Sequence, residues 1–325
     1  MKLTVRETEI IKILKQNPMI SQDELASVLN ISRSAAAVHI SNLIKKGIII
    51  GRGYVFREQK SIIVLGRILA AMETNKGQEI SFTVKGIGYL LSKGLAKLGE
   101  KVTIISGVGE DLLGNSIYNA LEQEGIDVSS LLKHHSLPTA LEIQAPENDF
   151  ISHGALQAIT EELVYTKEHL LKNALLAVND CSVGIKASSA LLSFCRKYQV
   201  DNINLLEDVK DITPFFNSDL LLKMNTIILR KSQLQQLGIS SLRFEELVSE
   251  KIIPIHLRGH FIITCGEEGV LVVSKADFKH VSLLPGQRLS EKFSTGFIYG
   301  LINRYNYSQA ARIGLGNFNQ LLSQA

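Results

Sequence analysis

The chain has 325 residues, 45% hydrophobic and 21% charged, the composition of an ordinary globular protein and enough length for two domains. No run approaches the roughly 20 apolar residues of a bilayer span, and MKLTVRETEIIKILKQNP mixes charge with apolar residues, which argues against a secretory signal. Net charge is only +3, yet residues 1–60 hold ten Lys and Arg against five Asp and Glu; that segment is +5 and the rest is −2, which marks the N-terminus as the part a polyanion attracts.

In chain order, Ile10, Ile11, Ile13 and Leu14 fall at helical spacing between Glu7 and Lys15, and Asn17-Pro18 stops that helix. Ser21 reads as an N-cap with Glu24 completing a capping box, ahead of Leu25, Val28 and Leu29 and a closing Asn30. Ser32 or Ser34 caps a third helix with Val38, Ile40, Leu43 and Ile44 as its expected buried face. After Lys45-Lys46-Gly47, the runs Ile48-Ile49-Ile50 and Tyr54-Val55-Phe56 read as two strands around Gly51-Arg52-Gly53. Three short helices and a hairpin over residues 1–58 resemble winged helix-turn-helix regulators. The resemblance implies double-stranded DNA as partner, bound by a homodimer, with Ser32, Arg33, Ser34, Ala35, Ala37, His39 and Ser41 facing base edges and Lys45, Lys46 and Arg52 on phosphates. The alternative is a helical protein-interaction module with a solvated basic surface.

Beyond a polar connector ending at Lys60, apolar strands alternate with amphipathic helices through residues 61–325. Strands are expected at Ile62–Leu65, Val102–Ser106, Ala174–Val178, Ile203–Leu206, Thr226–Leu229, Phe261–Thr264 and Val270–Val273. Helices are expected at Gly88–Leu98, Leu112–Glu124, Ser188–Tyr198 and Phe244–Glu250. This alternation predicts an α/β fold, a mostly parallel sheet flanked by helices. The cysteines Cys181, Cys195 and Cys265 are odd in number and far apart, which speaks against disulfides or a thiolate zinc site and for the cytoplasm. His256 and His260 lack helical context and acidic neighbours, so no metal site is expected. His134-His135 reads as a solvated loop pair, and Lys223, Arg230 and Lys231 as a solvated edge or an anion-attracting patch.

Several phrases in this body resemble the ribokinase or PfkB family of carbohydrate and nucleoside kinases, including its pseudouridine-kinase-like members: the step Gly94 to Gly99 into Val102–Ser106, Val108-Gly109-Glu110-Asp111-Leu112-Leu113-Gly114, Pro138-Thr139, Thr264 to Val270 with Gly266 and Gly269, and Gly296-Phe297-Ile298-Tyr299-Gly300. The resemblance implies a ribokinase-like fold, ATP with magnesium, and a sugar or nucleoside ligand. It also implies an anion hole where a G-A-G-D run opens a helix. Here that run falls on Arg288-Leu289-Ser290-Glu291: Leu289 and Ser290 bring Cβ atoms to a site of close phosphate approach, and Glu291 stands where the catalytic aspartate belongs. The sugar-holding G-x-x-N-x-D falls on Gly66 to Ala71, the substrate-side glycines and asparagine on Lys85, Gly86 and Gly94, and N-x-x-E on Ser232 to Gln235. Losses at four sites, with turn glycines and strands retained, imply a pseudokinase: no catalytic residue, no cofactor, and a regulator of transcription whose kinase-like body senses a ligand or supplies the dimer interface. The runner-up is a working kinase with an added DNA-binding domain, and a lesser third possibility is a structural partner.

Overall fold

Thr4 and Ser21 open the first two helices by the same device. In the computed structural model, Thr4 Oγ1 accepts from the Glu7 amide at 3.2 Å while the Glu7 carboxylate takes the Thr4 amide at 2.8 Å; Ser21 and Glu24 reciprocate at 3.2 and 2.8 Å. The structure describes residues 4–17, 20–46, 48–51, 55–56, 60–74, 80–144, 150–238, 259–274, 278–284, 287–290 and 292–316. The expected helix Phe244–Glu250, the wing-tip Arg52, His256 and Glu291 lie outside them. The chain divides into two units, Met1–Gln59 and Lys60–Ala325.

In the first unit α1 (Val5–Gln16), α2 (Gln22–Leu29) and α3 (Arg33–Lys45) precede the antiparallel pair β1 (Ile49–Gly51) and β2 (Val55–Phe56). Asn30 ends α2 in the left-handed conformation at φ 55°, which asparagine tolerates better than most residues. Ser32, not Ser34, caps α3, its Oγ accepting from the Ala35 amide at 3.1 Å. The core is Ile10, Leu14, Leu25, Ala26, Leu29, Ala36, Ile40, Leu43 and Ile49, with Ile11 and Ile13 packed at its margin. Val28, Val38 and Ile44 were expected inside and are not: they are 64%, 58% and 52% exposed. The small Ala26 and Ala36 take the buried stripes, letting the helices approach and turning the three larger side chains outward.

In the second unit β3 (Ser61–Leu65), β4 (Leu69–Thr74) and β5 (Ile80–Lys85) lead to α4 (Ile87–Lys97), β6 (Val102–Gly109), α5 (Leu112–Gln123), β7 (Leu131–His134), β8 (Leu141–Gln144) and β9 (Phe150–Ser152). Then come α6 (Glu161–Thr166), α7 (Glu168–Lys172), β10 (Ala174–Asp180), α8 (Ile185–Tyr198), β11 (Asn202–Leu205), α9 (Thr213–Phe216) and β12 (Thr226–Arg230). The described part closes with β13 (His260–Thr264), β14 (Val270–Val273), β15 (Phe278–Val281), α10 (Phe293–Ile302) and α11 (Tyr307–Leu315). Nine strands form one sheet in the order β15-β14-β13-β12-β11-β10-β3-β6-β7, parallel except for β14 and β15 at one edge.

Alternate residues of the central strands feed opposite faces. Ile62 and Val64 pack with α4, α5, α10 and α11, while Ile63 and Leu65 pack with α6, α7 and α8. With both faces covered, the strands read as unbroken apolar runs, and every residue of β6 is buried. Each fully buried Ile, Leu or Phe contributes about 1.5–3 kcal/mol of transfer free energy. Within this apolar sheet runs a polar ladder: Asn179 donates to Asn204 at 3.0 Å, Asn204 to Asn202 at 2.7 Å and Asn202 to Asn225 at 2.7 Å.

A second sheet, ordered β5-β4-β8-β9, was not expected from the strand pattern. Its short strands carry exposed apolar residues, Phe82, Phe150 and Ile151, so neither an apolar run nor clean alternation announces it. Among the described residues no helix is long and apolar enough to cross a membrane.

Candidate functional site

Helix α3 presents a stripe spaced by four, three and four residues: Ser34, Val38, Ser41 and Lys45, all exposed. Ser32 and Arg33 are exposed at its start. Ser32 Oγ is engaged as the cap and shares a 2.9 Å hydrogen bond with Ser34 Oγ; Arg33 Nε lies 3.4 Å from Asp23 Oδ1. Ala35 and His39 are half-buried on a flank of the helix away from the stripe, and Ala37 is half-buried on the other side. Lys46 departs from the expected phosphate contact. Its ammonium sits 2.6 and 2.7 Å from the two oxygens of buried Glu7, holding that carboxyl down at about 2. It is a tie between helices and not a free cation.

In the second unit a cavity of about 1090 Å³ opens at the C-terminal ends of the parallel strands, where the turns of an open α/β sheet gather ligand-contacting groups. Arg67 follows β3, Glu207 and Asp208 follow β11, Arg230 ends β12 and Lys231 follows it, and Thr264 ends β13 with Cys265 and Gly266 following. Thr83, Val84, Lys85, Gly86, Ile87 and Leu90 line it from the junction of β5 and α4, with Glu142 from β8; Leu289, Ser290, Phe293 and Ser294 line it where α10 begins.

The arginines and Lys231 on the wall are paired with carboxylates. Arg67 lies between buried Asp180, at 3.3 Å from Nε, and Asp208, at 3.1 Å from Nη2; Arg230 Nη2 reaches the other Asp208 oxygen at 2.9 Å. Lys231 meets Glu268 at 2.7 Å. Glu207 accepts from Thr264 Oγ1 at 3.0 Å and Ser294 Oγ at 3.3 Å, yet burial pushes its carboxyl above the usual range. Burial likewise pushes the Cys265 thiol up, away from a reactive thiolate.

Of the positions singled out from the sequence, Gly86, Ser232, Gln235, Gly266, Leu289 and Ser290 meet on this wall. Ala71, Gly94 and Gly269 do not. Ala71 is fully buried in β4, while Leu69, two residues before it, reaches the cavity. Gly94 is a packing residue: a Cβ there would stand 2.6 Å from Thr295 Cγ2, so its absence lets α4 approach α10, and Leu90 is the α4 side chain that faces the cavity. Gly269, at φ 99°, turns the chain into β14 where a Cβ would strike the Val281 carbonyl at 2.3 Å.

Arg230 and Lys231 line the cavity, whereas Lys223 hydrogen-bonds Ser193 elsewhere. His134 is no solvated loop residue: it ends β7 and its Nδ1 accepts from the Ser136 and Leu137 amides. Arg67, Asp180, Glu207 and Asp208 escaped notice in the sequence. Each is a charge at or directly after the end of an apolar strand, and in a parallel sheet that position alone points to the ligand edge. Among the described residues no three His, Cys, Asp or Glu side chains gather to hold a metal ion.

Residues 4–50 match the winged helix-turn-helix DNA-binding family, and residues 59–316 match the pfkB family carbohydrate kinases. The chain belongs to the pfkB family. This pfkB-family chain is 24% identical over 334 residues to the "Uncharacterized sugar kinase YeiI" of Escherichia coli strain K12, covering 95% of the chain and 91% of the relative. It is 24% identical to the ribokinase of Haemophilus influenzae, over 74% of the chain and 82% of that protein. Among solved structures, an Arabidopsis thaliana ribokinase complexed with ribose and ATP superimposes with a TM-score of 0.66 at 16% identity, covering 79% of the chain and 90% of that structure. The ribokinase-like fold of the body is thereby fixed for this pfkB-family member, and its first unit is similar to winged helix-turn-helix DNA-binding domains.

Proposed function

We propose that this protein is a transcription regulator in which the winged helix, as a homodimer, binds double-stranded DNA while the pfkB body senses a sugar or nucleoside without phosphorylating it. The observation that carries this reading is Leu289 and Ser290 on the cavity wall just before α10. Phosphoryl transfer is catalysed largely by positioned donors and metal, and removing one oxyanion donor costs about 3 kcal/mol. Leu289 packs against the core and presents a branched apolar side chain where the family's bare backbone is expected.

The other donors support the same reading. Ser232 and Gln235 are neutral, Asp208 is committed to two arginines, and Glu207 is held by two hydroxyls with its carboxyl pushed toward the neutral form. Such a set suits polar hydroxyls better than a magnesium phosphate, which wants free carboxylates. A working kinase remains the second reading, favoured by the kinase names of relatives that match 95% and 74% of the chain.

The deciding experiment incubates the purified chain with ATP, magnesium and a panel of sugars and nucleosides, alongside binding to DNA from its own locus. Absence of turnover together with salt-sensitive DNA binding modulated by a panel compound supports the regulator. Robust turnover abolished by Glu291→Gln overturns the sensor reading in favour of the kinase.

A further inference from the structure

Two guanidinium groups converge on one carboxylate at a smaller recess of about 330 Å³ walled by Arg67, Lys210, Arg230 and Ser232 together with Glu207 and Asp208. Arg67 Nη2 meets Asp208 Oδ2 at 3.1 Å and Arg230 Nη2 meets Oδ1 at 2.9 Å, so the two arginines are spaced to take separate oxygens of a single oxyanion. Their setting is built, not incidental. Asp180, its side chain 2% exposed, accepts both the Arg67 amide at 3.0 Å and Nε at 3.3 Å, which aims the guanidinium. Asp208 is the more exposed of the two carboxylates: it sits in the turn after β11 with its side chain 38% exposed, and water is at hand to solvate it when a stronger anion takes both of its arginines.

We propose that this recess is an anion subsite in which Arg67 and Arg230 bind the phosphate of a phosphorylated sugar or nucleoside, displacing Asp208. A phosphate monoester offers more charge than the carboxylate it replaces and a third oxygen within the same recess, where Lys210 and the Ser232 hydroxyl stand on the wall. Glu207, its carboxyl pushed up by burial, repels that anion less than an ordinary glutamate would. The sugar or nucleoside is then bound more tightly as its phosphate ester than in its free form. This rests on the sensor reading only in requiring that the cavity hold a ligand; DNA plays no part in it.

The test is calorimetric titration of the full chain, without DNA or ATP, with pentose and hexose phosphates, each paired with its free sugar, with the corresponding sugar carboxylates, and with inorganic phosphate. The expected result is at least one phosphate ester bound about tenfold or more tighter than its free sugar, a difference of roughly 1.4 kcal/mol. Arg230→Gln removes that difference, Arg230→Lys restores part of it, and Asp208→Asn, which frees the two guanidiniums, raises affinity for inorganic phosphate several-fold. Melting curves accompany each variant, and the Asp208→Asn gain cannot arise from misfolding. Equal binding of ester and free sugar, or an ester preference untouched by Arg230→Gln, overturns the subsite; a carboxylate preferred over the phosphate overturns its phosphate assignment. If the anion arms succeed while the locus DNA is not bound, the regulator reading falls and the subsite stands.

Discussion

Lys46 Nζ lies 2.6 and 2.7 Å from the two carboxylate oxygens of Glu7, joining the end of α3 to the first turn of α1. Glu7 also accepts the amide of the N-cap Thr4, so one buried carboxylate serves both the start of a helix and the packing of two.

Because Glu7 titrates near 2 in the folded chain, below the usual carboxylate value of about 4.3, its contribution to stability is complete above that usual value and is lost as pH falls toward 2. Glu7→Gln should therefore lower the melting temperature of the full chain at pH 7, with the deficit shrinking below pH 4 and closing near pH 2. Thermal melts across that range check it; a deficit that does not change with pH would remove the ion pair as its cause.

Lys45 and Lys46 are adjacent in sequence and should behave differently. Lys45→Gln is expected to weaken binding to all DNA sequences and to reduce the slope of log affinity against log salt by about 1, the mark of one lost phosphate contact. Lys46→Gln should instead destabilise the fold. Filter binding over a salt series, beside melting curves, separates the two.

On the exposed stripe of α3, Val38→Ala should relax preference at a thymine-containing position by about 1 kcal/mol, since an apolar side chain reads the thymine methyl. His39→Ala, on the half-buried flank, should leave sequence preference unchanged. Selection of binding sites from a randomised pool distinguishes these outcomes.

Gly94→Ala places a Cβ 2.6 Å from Thr295 Cγ2 and should destabilise the second unit by about 1–3 kcal/mol through overpacking of α4 on α10. Asn204→Ala removes the middle of the buried amide ladder and strands its partners, at a cost of about 1–3 kcal/mol. Urea unfolding with unchanged m-values is the measurement for both.

Glu207 carries the opposite sign from Glu7. Its folded value is raised, so its carboxyl favours the fold at low pH and works against it as pH rises through that value. Glu207→Gln keeps an oxygen for Thr264 or Ser294 and should raise the melting temperature at pH 7, a gain that disappears below about pH 4. A lower melting temperature at neutral pH would show that the hydrogen bonds outweigh the charge.

What the sequence by itself determined is the part governed by local chemistry: the capping box of Ser21 and Glu24, the close of α2 at Asn30, the seven principal apolar strands of the large sheet and the helices α4, α5 and α8. Hydrogen bonds to neighbouring amides and the burial of unbroken apolar runs act over a few residues, so their signals survive in a one-dimensional string. Tertiary structure alone decided the rest. It turned Val38 outward because Ala36 fills the buried stripe, engaged Lys46 with a residue 39 positions away, made Gly94 a contact for Thr295 rather than part of the cavity, and brought Arg67, Asp208 and Arg230 from three strand ends to within hydrogen-bond reach. Those are contacts between distant segments, set by which strands lie side by side in the sheet, and no spacing along the chain encodes them.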